Sequence, residues 1–302
     1  MGLAGLHVVS TDGLIVVDKP GGMTSHDVVA RIRRLARTRR VGHGGTLDPM
    51  ATGVLVIGVG RATRLLTYVI GADKSYTATI RLGQATVTDD AEGDVIASTP
   101  AGTLTDEAVQ GALAGLTGEI DQVPSAVSAI KINGQRAYKR VREGESVDLP
   151  ARRVTVFRLD VLAIRRDQPD VVDVDVDVAC STGTYIRAIA RDAGLALRVG
   201  GHLTALRRTV VGGFDLAEAV TLDELEHRAP DVVGLPLAVA AERFFIRRDA
   251  TDEEAKVLSH GGPLDPVGHS GPYAVFDPAG GLIAIVSERA GRARAEIVLA
   301  PA

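Results

Sequence analysis

Gly42-His43-Gly44-Gly45-Thr46-Leu47-Asp48-Pro49-Met50-Ala51-Thr52-Gly53 runs directly into Val54-Leu55-Val56-Ile57-Gly58-Val59. The apolar run has the length and composition of a buried strand. The glycine-rich stretch before it is therefore a loop on the leading edge of a sheet, anchored on one side. Its glycines permit backbone angles that other residues avoid and let other groups approach closely. Asp48 precedes a proline, which pushes it out of the helical region into an extended shape. The spacing thus presents one carboxylate at a fixed angle beside a side-chain-poor surface, as suits a reactive acid facing a bulky, flat ligand. Asp-Pro steps also cap helices or form plain turns. A cap needs a helix after Pro49, and Met50-Ala51-Thr52 is too short for one. Turn and reactive acid both remain open on spacing alone.

Outward from this loop, Gly13–Val17 reads as a short buried strand ending in Asp18-Lys19-Pro20-Gly21-Gly22. Thr24 and Asp27 form a capping pair, followed by apolar residues at helical spacing (Val28, Val29, Ile32, Leu35, Ala36). Residues 62–70 read as a short helix. Tyr76, Ala78, Ile80 and Leu82 alternate with Thr77, Thr79 and Arg81, which predicts a half-buried strand. Asp89–Gly93 is an acidic turn, and 105–116 a helix with Asp106 and Glu107 in its first turn. Residues 124–150 form an insertion, with a strand over 127–132, an Asn133-Gly134 turn and a basic helix ending near Gly144. Strands follow at 154–164 and 171–180. Ser181-Thr182-Gly183-Thr184 leads into a helix through Leu197, closed by Gly200-Gly201. A strand over 202–210 and a helix over 221–227 come next. From about Arg243 short apolar runs separated by glycines predict a small β domain. Long strands without strict βαβ alternation favour α+β with a mixed, mostly antiparallel sheet.

The 302 residues are 45% hydrophobic and 24% charged, ordinary for a soluble globular protein. The single cysteine, Cys180, excludes an intrachain disulfide framework. No signal peptide or membrane-length apolar run is expected, so the default location is cytoplasmic. Net charge is −4, which argues against indiscriminate coating of nucleic acid. The arginines and lysines nevertheless cluster. Arg31, Arg33, Arg34, Arg37, Arg39 and Arg40 form one block. Lys131, Arg136, Lys139, Arg140, Arg142, Arg152, Arg153 and Arg158 form a second, and Arg187, Arg191, Arg198, Arg207 and Arg208 a third. Such blocks on an acidic chain suggest one polyanion-binding face if they converge, and solvated helix faces if they do not.

The familiar nucleotide signatures are absent. No Gly-Lys-Ser/Thr follows the glycine loop, and Gly58-Val59-Gly60 continues to Thr63 where a dinucleotide fingerprint needs glycine. The His-x-Glu and Cys-x-x-Cys of zinc nucleobase deaminases are missing too. Asp173, Asp175 and Asp177 superficially suit phosphoryl transfer, but their period of two puts all three on one strand face, as on a wet sheet. Arg187 opens a helix and is open to two readings, a surface residue or the partner of an acid.

Taken together, the string 42–53 resembles the catalytic loop of the bacterial TruB family, the tRNA pseudouridine 55 synthases. Asp18-Lys19-Pro20-x-Gly22-x-Thr24-Ser25, Lys74-Ser75-Tyr76, Gly183-Thr184-Tyr185-Ile186-Arg187 and His202-Leu203-Thr204-x-Leu206-Arg207-Arg208 resemble that family's motifs, in its order. The match covers roughly residues 10–212. The resemblance implies a pseudouridine synthase fold with a central cleft over residues 1–240, its insertion at 124–150 packed on the tRNA T arm. It also implies a small PUA-like RNA-binding domain over 243–302. The reaction implied converts a T-loop uridine, U55, to pseudouridine by breaking N1–C1′, turning the base and joining C5 to C1′. It needs no cofactor or metal. Asp48 is then the essential acid, attacking C1′ or assisting loss of the base through a glycal, and Arg187 pairs with it. Tyr76 stacks on the flipped uracil and helps remove the C5 proton. His43 fills the vacated space, Tyr185 and Leu206 line the pocket, and Lys19 contributes to substrate binding. Arg136, Lys139, Arg140, Arg207 and Arg208 hold RNA phosphates. Two rival readings are an RNA-binding or tRNA-folding protein without chemistry, and a magnesium-dependent phosphotransferase using Asp175 or Asp177.

Overall fold

Apolar alternation builds one large sheet. The structure, a computed structural model, describes residues 12–125, 131–132, 135–136 and 149–300. Strands β1 (Gly13–Lys19), β2 (Val41–His43), β3 (Thr52–Val59) and β4 (Lys74–Leu82) come from the first part of the chain. A hairpin follows, β5 (Gln84–Thr86) and β6 (Val95–Ser98), then β7 (Gly118–Gln122) and the short pair β8 (Lys131–Ile132) and β9 (Gln135–Arg136). Next come β10 (Arg152–Gln168), β11 (Val171–Cys180), β12 (Gly201–Val211), β13 (Phe214–Asp215) and β14 (Leu235–Pro236). The main sheet runs β14-β1-β3-β12-β4-β11-β10-β7, with β2 beside β3 and β13 beside β12. Strands β3 and β12 are parallel, and the other pairings are antiparallel. This is the mixed, mostly antiparallel α+β sheet expected.

The alternation of β4 and β11 decides which face is wet. Val172, Val174, Val176 and Val178 are fully buried, each worth about 1.5–3 kcal/mol relative to exposure. Asp173, Asp175 and Asp177 point the other way, where Arg81, Arg165 and Arg158 pair with them. On the inner face, helices Ser25–Leu35, Asp106–Ala114, Ile186–Ala196 and Leu222–Arg228 cover the core. Thr24 and Asp27 make a reciprocal capping box, as do Thr221 and Glu224. The helix expected over 62–70 starts as a 3₁₀ turn, Gly60–Leu65, before the α-helix Leu66–Gly71. Of the insertion, β8 and β9 pair, Lys131 with Arg136 and Ile132 with Gln135, whereas the expected Asn133-Gly134 turn, most of the expected strand over 127–132 and the basic helix lie outside the described residues.

The C-terminal part forms a four-stranded sheet, β15 (Arg247–Asp249), β16 (Tyr273–Phe276), β17 (Leu282–Arg289) and β18 (Arg292–Val298), with the helix Asp252–Ser259. It shares a hydrophobic core with the opposite side of β1 and β3. Leu14, Val16, Val54 and Val56 pack in one cluster with Phe245, Phe276, Ile285 and Leu299. Arg61 Nη1 donates to the Leu299 carbonyl at 2.9 Å, and the Tyr68 hydroxyl to Glu296 at 3.0 Å. No helix among the described residues is long and apolar enough to cross a membrane.

Candidate active site

The loop between β2 and β3 is held through its backbone, with the Asp48 carbonyl accepting from Ala51 N–H at 3.1 Å. Gly44 N–H donates to the Val56 carbonyl at 2.8 Å. Ser25, at the start of its helix, accepts from Leu47 N–H at 2.9 Å and donates to the Leu47 carbonyl at 3.1 Å. The Pro49 carbonyl accepts from Gly22 N–H at 2.8 Å and from Lys19 Nζ at 3.2 Å. Both neighbours of Asp48 are thus fixed, and the carboxylate, 31% exposed, faces a cleft.

Arg187 meets Asp48 from a segment far away in the chain. It lies in the first turn of Ile186–Ala196, where the helix dipole disfavours a cation and where no acidic residue stands. Asp48 and Asp90 supply the missing negative charge. Arg187 Nε approaches Asp48 Oδ2 at 3.0 Å, and Nη2 donates to Oδ1 at 3.2 Å. On its other side, Nη1 donates to the Thr88 carbonyl at 2.9 Å and lies 3.4 Å from Asp90 Oδ2. The guanidinium side chain is 6% exposed and the Asp90 side chain 2%. Asp90 is itself held by the N–H of Glu92 at 3.0 Å, on a turn where Asp89 takes a left-handed φ of 59°. Burial pushes the Asp48 carboxyl above the ordinary aspartate range, with Arg187 pulling the other way and Asp90 reinforcing the rise.

The cleft, about 320 Å³, is lined by Asp48, Tyr76, Tyr185, Arg187 and Leu206 among others. That volume suits a small ligand. Tyr76 is buried, and burial raises its hydroxyl pKa, so the phenol is neutral near pH 7. Leu206 lies across from Ala78, beside Tyr76, and gives the floor an apolar patch. Tyr185 is the helix N-cap residue. The Gln122 amide holds its backbone from both sides, accepting from Tyr185 N–H at 2.8 Å and donating to its carbonyl at 3.1 Å.

Other expected site residues fall elsewhere. Lys19 is completely buried behind the loop, with Nζ donating to the carbonyls of Pro20, Met23 and Pro49. It ties backbone together and cannot reach a ligand in the cleft, which corrects its reading as a substrate contact. Arg208 is 1% exposed and donates to the carbonyls of Val54, Thr46 and Gly45. Buried donors engaged in this way are unavailable to an RNA phosphate, a second correction. Arg207 is half-buried and forms a two-pronged pair with Asp18 at 3.0 and 2.8 Å. His43 does not line the cleft. Its ring packs edge-on against His26, with centroids 5.4 Å apart, and burial lowers its pKa so that it is neutral. Arg136 belongs to β9, and Lys139 and Arg140 lie outside the described residues.

Sequence reasoning missed Asp90, Ser25, Gln122 and Lys74. Lys74 lines the cleft, donates to the carbonyls of Ile70 and Ala72, and is lowered to about 8 by burial. Asp175 and Asp177 sit on the opposite sheet face, each engaged by an arginine, so nothing about them resembles a phosphotransfer centre. Among the described residues no cluster of three metal-ligating side chains occurs.

Residues 33–186 match the TruB family pseudouridylate synthase N-terminal domain. Residues 187–230 match the tRNA pseudouridylate synthase B C-terminal domain, and 245–300 the tRNA pseudouridine synthase II C-terminal region. The chain is 57% identical over 290 residues to tRNA pseudouridine synthase B of Mycobacterium sp. (strain KMS), covering 96% of this chain and 97% of that one. It is 55% identical over 292 residues to the same-named protein of Thermobifida fusca (strain YX), covering 96% and 99%. Among solved structures it resembles a chain of a Cbf5-Nop10-Gar1 complex, with a TM-score of 0.70 and 26% identity over 97% of this chain and 86% of that one. A chain of an H/ACA RNP bound to a substrate RNA containing 2′-deoxyuridine gives a TM-score of 0.69 at 25% identity, again covering 97% and 86%.

Proposed function

The chain belongs to the TruB family of pseudouridine synthases, and from that premise we propose that it converts a uridine of the tRNA T loop, U55, to pseudouridine with Asp48 as its reacting group. The observation that carries this reading is the Asp48–Arg187 pair at the cleft, joined across 139 positions of sequence. A uridine in a folded loop reaches the cleft only by leaving its stack. The base then rests on Tyr76 and Leu206, with the sugar toward Asp48. An Asp48 oxygen bonds to C1′ as the N1–C1′ electron pair departs with the base. In the glycal variant, Asp48 instead assists departure of the base. The base turns, C5 joins C1′, the carboxylate is released, C5 gives up its proton and N1 gains one. Composition is unchanged, so no energy carrier enters.

An ordinary aspartate is charged at neutral pH; burial works against that at Asp48, and the Arg187 cation favours the charged form. The carboxylate needs orientation, and the loop's hydrogen bonds with Arg187 provide it. The price of the arginine is a less nucleophilic carboxylate, which correct placement offsets. Residues 1–240 form the catalytic unit in this reading, working in the cytoplasm. The insertion at 124–150 and the PUA-like unit over 243–302 bind the T arm and neighbouring RNA.

Tritium release from T-arm RNA labelled at uridine C5 tests the proposal. Wild type releases tritium in the presence of chelator. Asp48→Asn releases none yet binds tRNA at low salt. Full release by Asp48→Asn would falsify it. Release abolished by chelator favours a metal-dependent route instead.

A further inference from the structure

Gly45 and Thr46 open the Asp48 loop, and Gly53 and Val54 close it. Both ends meet a single residue. Arg208 of β12 runs parallel to Gly53 of β3. Gly53 has a φ of +96°, and a side chain there would place its Cβ 2.2 Å from the Arg208 carbonyl oxygen, so only glycine permits this approach. From that point the Arg208 side chain turns back under the loop. Nε donates to the Val54 carbonyl at 2.8 Å, Nη2 to Gly45 at 3.1 Å and Nη1 to Thr46 at 3.3 Å. On the antiparallel side, Arg208 pairs in register with Tyr76 of β4. Arg208 and Tyr76 both line the cleft, as do Gly45, Thr46 and Asp48.

Among the described residues no carboxylate pairs with this guanidinium, although it is 1% exposed. Burying a cation on neutral carbonyls is costly unless its donors are well satisfied. A guanidinium offers five donors in a rigid plane, and here that plane spans the loop's two ends. An ammonium has no such reach, so lysine is a poor substitute.

We propose that Arg208 is a positioning residue: its guanidinium closes the Asp48 loop on itself and fixes that loop's distance from the Tyr76 platform. This rests on the functional reading above for its catalytic consequence, but the clamp itself is independent of it. Arg208 touches neither RNA phosphate nor the reacting atoms in this account. It acts through the backbone of residues 45–54.

Arg208→Lys and Arg208→Met test it through single-turnover tritium release at saturating T-arm RNA, RNA affinity across a salt series, and hydrogen exchange of the free protein. A displacement on the order of 1 Å costs about 10²-fold in rate, so Arg208→Met loses about that much and Arg208→Lys about tenfold. The RNA dissociation constant and its salt slope stay as in wild type, because no phosphate contact is lost. Peptides covering 44–54 exchange faster in both variants, while the helix Asp106–Ala114 is unaffected. Arg208→Lys with wild-type rate and wild-type loop exchange overturns the proposal. So does a rate loss matched by weaker binding and a shallower salt slope, which identifies a phosphate contact. If Arg208→Met fails to fold, Arg208→Lys decides. If wild type itself releases no tritium, the functional reading fails, and loop exchange in Arg208→Lys still decides the clamp.

Discussion

Asp48 and Asp90 share one guanidinium, Asp48 at the cleft and Asp90 buried behind it. Arg187 is 3.0 Å from the first and 3.4 Å from the second. The negative charge of Asp90 offsets part of the pull of Arg187 on the Asp48 carboxyl. Asp90→Asn removes that offset, which lowers the Asp48 pKa and damps its attack. The expected result is a rate loss of about 10- to 100-fold with tRNA affinity retained. Single-turnover rates beside filter-binding titrations check this, and an Asp90→Asn enzyme at full rate contradicts it.

The pH dependence has two limbs of different origin. Burial raises the Asp48 pKa above the ordinary value of 3.8, and only the carboxylate reacts, so the rate falls with acidity already above that pH. Lys19 is lowered from 10.5 to about 8, first by burial, with Asp48 opposing. Above about 8 it loses the charge that ties Pro20, Met23 and Pro49 together, and the rate declines. Stability from this group runs the other way. Between about 8 and 10.5 the unfolded lysine binds more protons than the folded one, so stability rises with pH in that window. A pH–rate profile and urea melts at matched pH separate the two, and a flat profile across both limbs refutes the assignment.

Ser25→Ala removes both hydrogen bonds to Leu47 from a site that is 1% exposed. Buried backbone groups left unpaired cost about 1–3 kcal/mol. The loss appears in urea denaturation, together with roughly tenfold slower turnover from a loosened Asp48. Equal stability and rate in Ser25→Ala mean that the loop is held by other contacts.

Phe276 of β16 is fully buried in the cluster that also contains Leu14 and Val56 of the main sheet. Phe276→Ala costs about 3–5 kcal/mol, and the chain unfolds in one cooperative step because the two sheets share that cluster. Calorimetry showing two separate transitions would refute a common core.

Much of the fold was legible because period-two alternation is strong in β4 and β11 and because Thr24 and Asp27 make a recognisable capping pair. The setting of Asp48 singles it out as a presented carboxylate, but its role as the reacting acid, like the pairing of Arg187, is legible only through the resemblance, since an Asp-Pro step also makes turns and an arginine in a helix's first turn carries no local signal. The sequence around Asp90 reads only as an acidic turn. Only tertiary packing turns its carboxylate inward, and nothing in Asp89–Gly93 encodes that. Lys19 and Arg208 were misread for one reason. A cation's sequence neighbours do not reveal whether its donors face carbonyls or water.

On the outer sheet face, Arg81, Arg158, Arg165 and Arg207 are matched by Asp173, Asp177, Asp175 and Asp18. Arg158 and Arg165 each meet a second carboxylate as well, Asp160 and Asp167. This wall is therefore rich in arginine yet leans negative, and a polyanion drifting against it finds no foothold.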